Sequence, residues 1–130
     1  MLHPKQFEVN EAWIAFRINS SPVRTELDGD FNCIALIDAA SCFILAFEFV
    51  STSAPEPTPA QFRQLMNNAK KHKQQLPRTL FIARADLADI MTHEATKLGV
   101  AVVRVPDNEL LLFITAARQG FAERFEPAPR

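Results

Sequence analysis

Tyrosine is absent, tryptophan occurs once, and there are only two cysteines and three glycines among 130 residues. With no Tyr, the aromatic content is almost all Phe, 11 residues. Phe has no polar handle, so these rings supply core or interface rather than recognition of polar ligands. Cys33 and Cys42 exclude a disulfide framework and fit a reducing compartment. Three glycines leave no phosphate-cradling loop, which argues against Rossmann and P-loop nucleotide binding. No Gly-x-Ser-x-Gly elbow occurs. No apolar run nears the ~18 residues of a membrane span, and Met1 to Gln6 has no apolar signal region. A soluble, cytoplasmic chain with no membrane partner is expected.

What is present is globular. Hydrophobic residues make up 48% and charged residues 22%, and a chain of this length can bury roughly two-thirds of its unfolded surface. One domain over residues 1–130 is expected, with residues 1–12 and 126–130 as loosely ordered tails. The net charge of −1 hides an asymmetry. Residues 1–56 carry −5, residues 57–85 carry +6 with no acid, and residues 86–130 carry −2. The basic block consists of Arg63, Lys70, Lys71, Lys73, Arg78 and Arg84.

Periodicity orders the elements. Trp13 to Ile18 alternates as a half-buried strand, with Ile14, Phe16 and Ile18 on one face. Asn19 to Asp30 is a turn-rich connection. Phe31–Ile37 and Cys42–Val50 form a hairpin around Asp38-Ala39-Ala40-Ser41. Pairing Ile37 with Cys42 puts Cys33, Ala35, Ile37, Cys42, Ile44 and Ala46 on one face. Ile34, Leu36, Phe43, Leu45, Phe47 and Phe49 then share the other. Both faces are apolar, so both require a cover. Thr58, Pro59 and Gln61 form a capping box for a helix to about Gln75, with Phe62, Leu65, Met66 and Ala69 inward. Thr79 to Ala83 is a buried strand. Asp86 is a candidate cap for a second helix with Leu87, Ile90, Met91, Ala95 and Leu98 inward. Gly99 is the left-handed residue that ends it. Val100 to Val105 completes a parallel βαβ unit. Asp107 is a candidate cap for a third helix, Asn108 to Gln119, with Leu110, Phe113, Ile114 and Ala117 as its main stripe; Leu111, Leu112 and Phe121 widen it.

The order βββαβαβα implies an α/β fold with a mixed five-stranded sheet and helices on both faces. Over residues 13–119 this order resembles the ribonuclease-H-like superfamily. That resemblance implies two metal ions held by a first-strand Asp, a first-helix Glu and a fourth-strand Asp. Trp13 to Ile18 contains no acid, and neither does Pro59 to Gln75. The acid closest to the fourth strand is Asp86. The fold carries over; the nuclease chemistry does not.

Other constellations read as structure. Asp28-Gly29-Asp30-Phe31-Asn32 imitates a calcium loop, but Cys33 stands where Gly is required and Ala39 where Glu is required, so a polar turn is expected. His93-Glu94-Ala95-Thr96-Lys97 approaches a zinc-protease motif, with a lysine in place of the second ligand. A solvated helix face is expected there. In the pairing above the two cysteines are offset by roughly 13 Å along the strands, beyond disulfide reach. Glu48 would face Phe31 and sit near a sheet edge or beside a base.

Three functional readings follow. The first is a non-catalytic binding or regulatory module acting through protein contacts and self-associating through Phe-rich surface, with no cofactor. The second is a nucleic-acid-binding protein that tracks phosphates with the basic first helix and its flanking arginines. The third is a divergent metal-dependent nuclease, which needs Asp38, Glu48 and Asp86 to converge.

Overall fold

Ala12–Arg17 forms β1, and every residue from Ala12 to Phe16 is buried. In the computed structural model, which describes residues 1–19, 21–27 and 29–125, this strand is the centre of the sheet. It pairs antiparallel with β3 (Asp30–Asp38) and parallel with β5 (Thr79–Ala83). β4 (Ile44–Ser51) lies beyond β3, and β6 (Ala101–Val105) lies parallel beyond β5. The five main strands therefore run β4-β3-β1-β5-β6. A two-residue β2 (Val23–Arg24) pairs with the start of β3 and makes the sheet six-stranded. The expected C-terminal tail, 126–130, and Asp28 of the calcium-like turn lie outside the described residues.

Helices cover both faces. α1 (Pro59–Lys73) and α2 (Asp89–Lys97) pack Phe62, Leu65, Met66, Met91 and Ala95 against Trp13, Leu36, Leu80 and Ile82. A 3₁₀ turn (Asp107–Leu110) and α3 (Leu111–Phe125) pack Leu110, Phe113, Ala117 and Phe121 against Ile14, Phe16, Ala35 and Ile37. Each such large side chain contributes about 1.5–3 kcal/mol when withdrawn from water. The fold is ribonuclease-H-like in strand order and layers.

Local chemistry explains the helix ends. Thr58 accepts from Gln61 N, the Gln61 side chain accepts from Thr58 N, and Pro59 opens α1, as the sequence requires. Gln74 closes α1 in the left-handed region at φ 60°. Gly99 does the same after α2 at φ 80°. Asp86 does not cap α2. Glu56, from the loop after β4, accepts from Ile90 N at 2.9 Å and Met91 N at 3.1 Å. That carboxylate meets two of the helix's orphan donors and its positive dipole end. Asp107 caps no helix through its side chain. Leu87, Leu98, Leu111 and Leu112 are exposed rather than inward, because α2 is shorter than expected and α3 buries a narrower stripe.

Three further expectations are corrected. β1 is buried on both faces, not half-buried, because it is central. The hairpin register differs, with Cys33 opposite Phe49, Ala35 opposite Phe47 and Ile37 opposite Ile44. Cys42 adopts φ 59° and leaves the strand, and the ladder shifts between Leu36 and Ile37. Phe47 and Phe49 consequently share a face with Cys33 and Ala35, not with Ile34 and Leu36. Third, residues 1–12 are tied to the core. Phe7 makes edge contacts with Phe81 at 5.7 Å and Phe113 at 6.2 Å. Asn10 N donates to Asp38 Oδ1 at 2.7 Å, and Asn10 Oδ1 accepts from Trp13 Nε1 at 2.7 Å.

Asp38 is fully buried, and its other oxygen accepts from Ser41 N and Oγ at 3.0 and 2.7 Å. Asp38→Ala leaves the buried Asn10 amide without its acceptor and frees the Ser41 turn. It is expected to lower unfolding free energy by roughly 1–3 kcal/mol, read as a lower urea midpoint with unchanged slope. An unchanged midpoint contradicts this role.

Candidate functional site

The six basic residues singled out from the sequence do not form one surface. Arg63 Nη1 lies 2.7 Å from Glu94 Oε1, which ties α1 to α2. Lys97 Nζ reaches the other Glu94 oxygen at 3.1 Å. Glu94 is only 4% exposed, so the expected solvated face is instead a buried carboxylate between two bases. Lys70, Lys71 and Lys73 occupy the last turn of α1. Lys70 and Lys71 line an open cleft with Asn67 and Gln74. Arg78 shares a separate polar cleft with Glu8 and Glu11. Arg84 stands beyond the opposite end of β5, roughly 20 Å from Arg78 at the usual strand rise.

Other cations collect around Asp86, two residues after Arg84. The parallel strands β1, β5 and β6 end together, and Arg17 is the last residue of β1. Arg84 follows the last residue of β5, the strand that pairs with β1. From β6, Arg104 Nη2 donates to Ala83 O at 3.0 Å, to Arg84 O at 3.3 Å and to Asp86 O. From α3, Arg118 Nη2 donates to Arg17 O at 2.8 Å. Arg104 Nε and Arg118 Nε are buried and find no acceptor. Partial burial and the neighbouring Arg17 push the Arg118 pKa down. Asp86 is the acid among them. Its pKa is raised, first by its sheltered position and then by Asp107, against the lowering effects of Arg104, Arg17 and Arg118.

A cavity of about 280 Å³ opens at this end. Its wall includes Ala15, Ile34, Pro55, Pro57, Leu87 and Met91, with Arg17, Glu56 and Asp86 as its charged members. Sequence reading missed Arg17, Glu56, Arg104 and Arg118 because their partners are distant along the chain. The only sequence signal was an arginine at or near the end of each of three strands.

The acids of the nuclease reading do not meet. Asp38 lies opposite Trp13, at the start of β1, whereas Asp86 follows the far end of β5. Glu48 pairs with Ile34, not Phe31, on the outer strand β4. Among the described residues, no three His, Cys, Asp or Glu side chains are grouped to hold a metal ion. His93 is exposed, and Asp30 belongs to β3. Cys33 and Cys42 are free thiols; burial, then Glu48, pushes the Cys33 thiol up to about 12.

No family model matches the chain, and no curated protein matches it. Solved structures do. One is a chain of the simian T-cell lymphotropic virus intasome in complex with PP2A regulatory subunit B56 gamma. It aligns at TM-score 0.58 and 11% identity over 93% of this chain. This chain spans 44% of that one, less than half its length. Another is the HTLV-2 integrase catalytic core domain in complex with magnesium, in a dimeric form. It aligns at TM-score 0.54 and 8% identity over 88% of this chain and 68% of that one. Both are integrase structures, and the likeness is one of ribonuclease-H-like fold. Among the described residues, no helix is long and apolar enough to cross a membrane.

Hydrogen bonds from Arg63 and then Lys97 hold the Glu94 carboxyl below its ordinary value. The stability it supplies is complete above that ordinary value and is lost as pH falls through the lowered one. Glu94→Gln is expected to lower the urea midpoint at pH 7 and to flatten its decline below pH 5. An acid limb identical to that of the wild type contradicts this assignment.

Proposed function

We propose that this chain is a non-catalytic binding or regulatory module of ribonuclease-H-like fold that acts through protein contacts and associates with itself. The observation that carries this reading is the outer strand β4. Phe47 and Phe49 stand 41% and 43% exposed with their rings 5.9 Å apart. Among the described residues β4 pairs only with β3. Its sequence is apolar on both faces, and that pattern requires a cover on both. Large exposed apolar side chains on an open strand edge are a liability in isolation and suit a partner surface.

Other features support the reading. β1 and α1 carry no acid, and Asp38, Glu56 and Glu94 are engaged in holding loops and helices together. One structural neighbour is described as dimeric and another in complex with a protein subunit, so protein contact is a use this fold admits. Two free thiols suit the reducing cytoplasm. A second reading, nucleic acid bound at the end of α1, keeps Lys70, Lys71 and Lys73 and loses Arg63 to Glu94.

Sedimentation velocity over a concentration series tests the first reading. The wild-type chain is expected to associate, and Phe47→Thr with Phe49→Thr is expected to return it to monomer. A monomer at every concentration contradicts self-association. Salt-sensitive DNA or RNA binding, lost on charge reversal at Lys70 and Lys73, favours the second reading.

A further inference from the structure

We propose that the carboxyl ends of β1, β5 and β6 form a binding site for a phosphate monoester. In open α/β sheets, ligands bind outside the carboxyl ends of the parallel strands, where the connections diverge. Here that place is cationic. Arg17 is the last residue of β1, and by alternation it points to the face covered by α1 and α2; Arg84 opens the turn after the neighbouring strand β5. Arg104 and Arg118 reach the same place from β6 and α3.

The last two guanidinium groups are fixed in advance. Their Nη2 atoms are anchored on the carbonyls of Ala83, Arg84 and Arg17, so little side-chain freedom remains to be lost on binding. Among the described residues, none of the four arginines forms an ion pair. Two of them leave an Nε donor without an acceptor. The acids of the cluster are Asp86 and Asp107. The guanidinium groups of Arg104, Arg17 and Arg118 against these two carboxylates leave an excess of one positive charge, which a phosphate anion neutralises. Guanidinium forks match its oxygens in geometry as well as charge.

The adjoining cavity sets the rest of the ligand. It shares Arg17 and Asp86 with the cationic cluster, holds about 280 Å³, and is walled by Pro55, Pro57, Leu87 and Met91. That space suits a compact, largely apolar or planar organic group. The ligand is therefore an ester of phosphate, with its phosphate at the arginines and its organic part between the two prolines and α2. Glu56 occupies the cavity wall without repelling the phosphate strongly, because the amino end of α2 engages its carboxylate.

The test is an NMR titration of the full chain with inorganic phosphate and, separately, a nucleoside monophosphate, with sodium chloride at matched ionic strength as control. Saturable shifts are expected in the Nε–Hε signals of Arg104 and Arg118 and in the amides of residues 84–87. The nucleoside monophosphate is expected to bind more tightly than phosphate. Arg17→Gln with Arg84→Gln, both at exposed positions, is expected to weaken binding at least about tenfold. Shifts no different from the chloride control overturn the site, as do shifts centred on Lys70 to Lys73 or an unchanged affinity in the double variant. Equal affinity for the two probes overturns the ester assignment.

Discussion

The burial of β1 on both faces constrains everything around it. Ala12 to Phe16 lies between α1 and α2 on one side and α3 on the other, and between β3 and β5 in the sheet. An ionised group in the middle of such a strand would lose its hydration without a partner. The strand is therefore apolar from Ala12 to Phe16, and its first charge is Arg17 at the solvent end. The chemistry of this sheet is displaced to its two ends, where side chains reach water.

Those ends are held by opposite means. At the start of β1, the Asp38 carboxylate gathers the Asn10 amide and Ser41, and Asn10 in turn receives the Trp13 indole. This ties the N-terminal segment and the β3–β4 turn to the central strand. At the far end, guanidinium groups grip backbone carbonyls, Arg118 on Arg17 and Arg104 on Ala83 and Arg84. One end is organised around a carboxylate and the other around arginines. The same polarity explains why three acids scattered through the sequence never converge, and why a basic block contiguous in sequence divides between both ends of the sheet.

What was legible in the sequence was local. The α1 capping box, its Phe62–Ala69 stripe, the parallel βαβ unit and the Gly99 stop depend on neighbours within a few residues. Element order then pointed to the fold. The hairpin register was not legible, because Cys42 takes a left-handed conformation and the ladder shifts near Leu36, and neither event leaves a pattern of period two. The cap on α2 comes from Glu56, 34 residues before Ile90, and the partner of Arg63 lies 31 residues away at Glu94. The arginine cluster spans Arg17 to Arg118. Pairings of that separation are set by the packed sheet, and a helical or strand period does not encode them. The basic helix was legible as a helix, but the pairing of its Arg63 with the buried Glu94 was not.

The outer strand β4 is where the sequence pattern and the folded chain disagree most. Its pattern asks for two covered faces, yet Phe47 and Phe49 stand well exposed. In the proposed self-association, a second copy of the chain covers these rings. Backbone amide shifts recorded over a dilution series test it most directly. The account predicts concentration-dependent shifts concentrated in residues 43–51. Spectra that superimpose at all concentrations, or shifts confined to α1, would contradict it.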